Sequence, residues 1–106
     1  MIEVNKDNFE QEVLQADQPV VVDVWGPSCQ PCLNLMPEVE ALAKRYEGKV
    51  KVVKLNSVQN RRLCIDLKVM GLPTFLLFKN GNEVQRISGG DLSIDDVERL
   101  ITESAS

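Results

Sequence analysis

The chain has 106 residues, 43% hydrophobic and 26% charged, with six glycines, five prolines and no low-complexity stretch, the make-up of one small globular domain over residues 1–106. Twelve Lys and Arg against sixteen Asp and Glu leave a net charge of −4, and no basic cluster is longer than Arg61-Arg62, so nucleic acid and anionic membrane surfaces are not expected as partners. The chain has no histidine, which removes the usual catalytic base, the Cys/His dyad and the His-rich metal sites.

Met1 to Lys6 lacks the apolar core of a signal peptide, and no apolar run approaches the ~20 residues that span a bilayer, so the expected location is the cytoplasm. Ile2 and Val4 alternate around Glu3 and predict a short strand. A helix follows, with two competing starts: Asn5 as cap, with Val4 and Phe9 at the hydrophobic-staple positions, or Asp7 with Glu10 as a capping box. Phe9, Val13 and Leu14 form its buried stripe. Val20 to Trp25 is a β-branched run closed by Gly26-Pro27, apolar on both faces like a central strand.

From the cysteines a helix is predicted to about Tyr46, with Leu35, Met36, Val39, Leu42, Ala43 and Tyr46 at three- and four-residue steps. Pro37 cannot donate to the carbonyl four residues back and predicts a kink. Gly48 suits the left-handed position after the helix, and Lys44 and Arg45 suit its negative pole. Val50 to Leu55 reads as a second buried strand and Asn56 to Leu67 as a shorter helix. Thr74 to Phe78 and Glu83 to Ser88 read as strands joined through an Asn80-Gly81 hairpin turn. Ser93 caps a last helix, expected to run through Thr102 and to fray beyond it. The order βαβαβ, then a hairpin and a helix, predicts an α/β domain with a mixed central sheet and helices on both faces.

Three cysteines are too few for a disulfide framework, and Cys29-Gln30-Pro31-Cys32 opens a helix directly after a strand. The unpaired amides of the first turn favour a thiolate on Cys29, and the spacing lets the two sulfurs close a small disulfide without unwinding the helix. Cys29 is expected to be accessible and Cys32 covered. The competing readings are half a zinc knuckle or inert core cysteines. A closed zinc site needs four ligands and only Cys64 remains, so no metal is expected. Asp23 is a carboxylate in an apolar strand, on the face of Val21 and Trp25, where burial raises its pKa. Alternation along Val50–Lys54 puts Lys54 on the matching face of a neighbouring strand. Asp23 and Lys54 are therefore a structural buried ion pair, two unrelated surface charges, or a proton acceptor at Asp23 that lets covered Cys32 attack. Cys64, between Leu63 and Ile65, reads as a small buried hydrophobe.

Along nearly its whole length the chain resembles the thioredoxin family. The matching residues are Val22-Asp23-Val24-Trp25 before Cys29-Gln30-Pro31-Cys32, then Pro37, Lys54-Leu55-Asn56, Gly71-Leu72-Pro73-Thr74, Leu77-Phe78-Lys79-Asn80-Gly81 and Gly89. The resemblance implies the thioredoxin fold, a mixed five-stranded sheet flanked by four helices, and dithiol-disulfide exchange without metal or bound cofactor. By the same resemblance Cys29 is the nucleophile with a lowered pKa and Cys32 the resolving thiol. Asp23 is the buried carboxylate with Lys54 beside it, and Pro73 a cis-proline facing the disulfide. Trp25, Gln30, Pro31, Gly71, Leu72, Pro73 and Gly89 line the groove for an extended substrate segment. Implied partners are disulfide-containing proteins and, as electron donor, a flavoprotein of the thioredoxin-reductase type; a monomer is expected.

The chain departs from the family at four positions on that face. Ser28 replaces a tryptophan, Gln30 a glycine, Leu33 a lysine and Ser88 an apolar residue, which alters the face and leaves the exchange machinery in place. A thioredoxin-like redox sensor or binding adaptor without general reductase turnover is the alternative function. Retention of both cysteines with Asp23 and Lys54 favours the enzyme.

Overall fold

The computed structural model describes residues 1–104. Strands β1 (Ile2–Val4), β2 (Val20–Trp25), β3 (Lys51–Asn56), β4 (Thr74–Lys79) and β5 (Asn82–Ser88) form one sheet in the order β1-β3-β2-β4-β5. The first three of these neighbours run parallel, while β4 is antiparallel to β2 and β5 to β4. Helices α1 (Gln30–Arg45), α2 (Arg61–Asp66) and α3 (Ile94–Ser104), with a π-helical segment at Glu10–Leu14, complete the expected four.

The alternation of each strand divides the core in two. Val20, Val22, Val24, Val53, Leu55 and Leu76 face the π-helical segment and α2, packing with Phe9, Val13 and Cys64. Val21, Val52, Phe75 and Leu77 face α1 and α3, packing with Leu35, Val39, Leu42, Val97, Leu100 and Ile101. Because β2 is covered on both faces, Val20, Val21, Val22 and Val24 are fully buried, each contributing roughly 2 kcal/mol of apolar burial. This makes β2 a rigid support for whatever leaves its carboxyl end.

The helix starts resolve as the local hydrogen bonds dictate. Asn5 is the first cap: its Oδ1 accepts from the amides of Asp7 and Asn8, and Asn8 Oδ1 accepts from the Asn5 amide, a reciprocal box. Val4 and Phe9 share one cluster, as a staple requires. The segment closes with the Gln15 amide donating to Glu10 O, five residues back, at 2.9 Å. At the start of α3, Ser93 Oγ accepts from the Asp96 amide, and Asp96 Oδ2 accepts from the Ser93 amide and hydroxyl, which holds the Asp96 carboxyl below its ordinary pKa.

Three expectations are corrected. The third helix begins at Arg61 rather than Asn56, because Asn56 still pairs with Trp25 as the last residue of β3. Its Oδ1 accepts from the amides of Val58 and Gln59, a side-chain turn that competes with helix. β3 is correspondingly displaced by one residue from the expected Val50–Leu55. The last helix runs to Ser104, which is buried and donates its hydroxyl to Ile101 O, so fraying does not begin at Thr102; residues 105–106 lie outside the described residues. The hairpin is as expected: Asn80 and Gly81 both have positive φ, 53° and 81°, the geometry of a two-residue primed turn. Pro37 lies on the exposed side of α1, which is continuous across it.

Candidate active site

β2 ends at Trp25, and the chain must then turn sharply. Gly26 lets Leu72 and Ser57 approach the backbone closely, since a Cβ there would stand 3.0 Å from Leu72 Cδ1 and 3.3 Å from Ser57 Oγ. The Cys29 amide donates to Gly26 O at 3.0 Å, closing the turn. Cys29 is then the cap of α1, with extended backbone at φ −92° and ψ 101°, and its Sγ accepts from the Cys32 amide at 3.3 Å. Pro31 falls at the start of the helix, where a missing N–H costs nothing. Cys29 and Cys32 are joined by a disulfide with Cα atoms 5.3 Å apart. Cys29 is partly exposed and Cys32 is buried at 2%, as the sequence predicts.

A sulfur at the amino end of a sixteen-residue helix, with no acidic residue in the first turn, sits where positive potential is greatest. When the bridge is reduced, the amide that faces Cys29 Sγ favours the thiolate. The arrangement therefore offers one partly exposed sulfur facing a helix-start amide and one covered sulfur bonded to it.

Asp23 lies two residues before the end of β2 and is 1% exposed. It pairs in register with Lys54 on β3 and Phe75 on β4. Burial pushes its pKa from 3.8 up to about 7, and the Lys54 charge opposes the rise. Lys54 makes no ion pair with it; the ammonium instead stands 5.9 Å from the centre of the Trp25 ring, a cation–π distance. Asp23 Oδ1 and Trp25 Nε1 are buried without hydrogen-bond partners. A carboxyl that titrates near neutrality and has a free oxygen can hold or release a proton in this apolar layer.

The remaining residues approach through the sheet register. Val24 pairs with Thr74 and Thr74 with Ser88, so Trp25, Pro73 and Gly89 end the same row. The Leu72–Pro73 peptide is cis. The Gly89 amide donates to Pro73 O at 3.1 Å, and Thr74 Oγ1 donates to Gly71 O at 2.6 Å. Gly89 has φ +128°, and a Cβ there would meet Asp91 Oδ1 at 2.9 Å, so only glycine fits without movement. Leu72 packs over Gly26, whereas Gly71 is exposed with open space around it. Gln30 is exposed, and its Nε2 donates to Asn34 Oδ1 along the helix at 2.8 Å. Ser28, Leu33 and Ser88 are exposed too, which confines the departures to the outer face.

Three contributors were not singled out from the sequence. Gly26 and Thr74 act through close approach and a loop hydrogen bond, and a Cβ on Gly90 would stand 3.6 Å from Pro31 Cγ. The Gly-Pro break after β2 and the Gly89-Gly90 doublet were the available signals. Cys64 is buried in the opposite core, where burial pushes its thiol pKa up. A groove of about 690 Å³ lined by Met1, Glu40, Lys44, Gly48 and Val50 lies at the other end of β3.

Residues 1–103 match the thioredoxin family model. The chain is 43% identical over 101 residues to a thioredoxin of Peptoclostridium acidaminophilum, covering 95% of this chain and 92% of that one. It is 40% identical over 101 residues to a thioredoxin of Acetoanaerobium sticklandii, covering 95% and 96%. Against a thioredoxin of Pseudomonas aeruginosa it is 43% identical over 93 residues, covering 88% and 85%.

Proposed function

This chain belongs to the thioredoxin family and is a protein dithiol-disulfide oxidoreductase, and from that premise we propose the residues and the steps by which it works. Cys29 thiolate attacks one sulfur of a substrate disulfide; a Cys29–substrate bond forms, the substrate S–S bond breaks, and the departing substrate sulfur takes a proton. Cys32 then gives its proton to Asp23 and attacks Cys29 Sγ, releasing the second substrate thiol and closing the Cys29–Cys32 bridge. Two electrons pass from the dithiol to the substrate, and the protein is left oxidised.

Asp23 suits this step because its pKa, about 7, lies near neutral pH, where one group can both take up and return a proton. Lys54 sets that pKa by opposing the effect of burial. Trp25, Pro31, Gly71, Leu72, Pro73 and Gly89, with Gln30 at the rim, form the surface for an extended substrate segment. The observation that carries the reading is the bridged pair at the cap of α1, together with a buried carboxyl with an unpartnered oxygen on the strand that leads to it. Electrons for the next cycle come from a flavoprotein of the thioredoxin-reductase type. The protein acts as a monomeric single domain over residues 1–106, in the cytoplasm, on disulfide-containing proteins rather than nucleic acid or membrane. Among the described residues no helix is long and apolar enough to cross a membrane.

The test is turnover of a protein disulfide with a reducing system recycling the chain, paired with partner trapping by Cys32→Ser. Catalytic reduction and a stalled mixed disulfide on Cys29 support the reading. Stoichiometric oxidation without turnover overturns it in favour of a redox sensor or adaptor.

A further inference from the structure

α2 ends one turn before the segment 69–73 that carries Leu72 and Pro73 to the cysteines. Its end is a left-handed cap: Lys68 has φ 59°, its amide donates to Ile65 O at 2.9 Å, and the Val69 amide donates to Cys64 O at 3.0 Å. These bonds satisfy two helix carbonyls and leave those of Leu67 and Lys68 without amide partners. Arg86 supplies them. It lies on β5 opposite Leu76, on the face that packs against α2. One guanidinium nitrogen donates to Leu67 O at 2.8 Å and another to Lys68 O at 3.1 Å. Glu83, three residues back, accepts from Nε and from Nη2, the nitrogen that also donates to Leu67 O, a two-point pairing that fixes the plane of the fork.

Beyond Lys68, Val69 and Leu72 pack against the core and Pro73 O accepts from the Gly89 amide, while the residues between them are loosely held. Met70 is 95% exposed, Gly71 has no atom within 4 Å of a Cβ position, and the one side-chain hydrogen bond to this stretch among the described residues is Thr74 Oγ1 on Gly71 O. We propose that Arg86, oriented by Glu83, is a positioning residue for protein substrates: by clamping the carbonyls of Leu67 and Lys68 it fixes where segment 69–73 starts, and so the place of Leu72 and Pro73 against the cysteines. The inference rests on the dithiol-disulfide exchange proposed above. Arg86 belongs to the opposite face of the sheet from Asp23 and to a different strand, so it leaves the thiols and their proton acceptor as they are. Its effect falls on substrates that need the groove and spares those that need only Cys29.

The experiment compares wild type, Arg86→Gln and Arg86→Lys on two substrates, a disulfide-bonded protein such as insulin and a small aromatic disulfide. Arg86→Gln is expected to raise KM for the protein by about threefold to tenfold, less than the full weight of one charge-assisted hydrogen bond because the clamp acts on the groove through the segment rather than on substrate directly, with kcat within about twofold. The small disulfide should react at the wild-type rate, and Arg86→Lys should fall between the two. An unchanged KM, or equal slowing on both substrates, overturns the inference. If Arg86→Gln does not fold, Glu83→Gln keeps the guanidinium but frees its plane; a smaller rise in protein KM supports the clamp and no rise overturns it. Wild type that turns over neither substrate refutes the exchange reading itself, an outcome distinct from a wild type that is active and a variant that matches it.

Discussion

Replacing Asp23 with Asn tests the electrostatics of β2 most directly. The carboxyl is 1% exposed and its pKa stands at about 7 in the folded oxidised protein against an ordinary 3.8. Between those values the folded chain holds a proton that the unfolded chain has lost. Stability therefore falls as pH rises through this window and levels off above about 7. At 1.36 kcal/mol for each tenfold, the loss approaches roughly 4 kcal/mol, an upper figure because water reaching the ion relieves part of it. The amide of the Asp23→Asn variant does not ionise and escapes the loss. Urea denaturation of both oxidised proteins at pH 4, 6 and 8 should show similar stabilities at pH 4 and an advantage for Asp23→Asn of roughly 2 to 4 kcal/mol at pH 8. The same variant should slow release of the mixed disulfide at pH 7 by about a hundredfold, the weight of a positioned base, and remove the inflection near neutrality. A stability difference that is constant from pH 4 to 8, or a release step with unaltered pH dependence, would refute both the burial argument and the proton-acceptor role.

Lys54→Met removes the charge that opposes desolvation of Asp23. The midpoint of the Asp23 carboxyl, followed by infrared absorption of its protonated form, should rise above the wild-type value; a fall would contradict the assigned cause. Phe78→Ala opens the core where Phe78 is 4% exposed and meets Phe9 edge to face at 5.8 Å, and should cost about 3 to 5 kcal/mol in guanidinium unfolding. Gly81→Ala places a Cβ at φ +81°, 3.0 Å from Leu14 O, and should cost about 1 to 2 kcal/mol by the same measurement, with exchange activity retained.

Much of the site was legible because it is local. The strand Val20–Trp25, the Gly-Pro break, the cysteine spacing and the helix they open are set by residues within one stretch of chain, where periodicity and capping act directly. The face shared by Asp23 and Lys54 was also legible, since two-residue alternation needs only the assumption that their strands are neighbours. Asn56 was misread as helical because its propensity is compatible with a helix start; pairing with Trp25 across the sheet and a side-chain turn to Val58 and Gln59 outweighed it.

The sequence by itself determined the chemistry: two cysteines at helix-start spacing, an apolar strand carrying one carboxylate, and the order of strands and helices that must cover it. Tertiary structure decided what no spacing encodes. It set Lys54 over the Trp25 ring instead of in an ion pair with Asp23, and left Asp23 Oδ1 unpartnered. It also brought Leu72 against Gly26 and Arg86 onto the carbonyls that end α2. These are contacts between segments far apart in the chain, fixed by sheet register and close packing rather than by local preference.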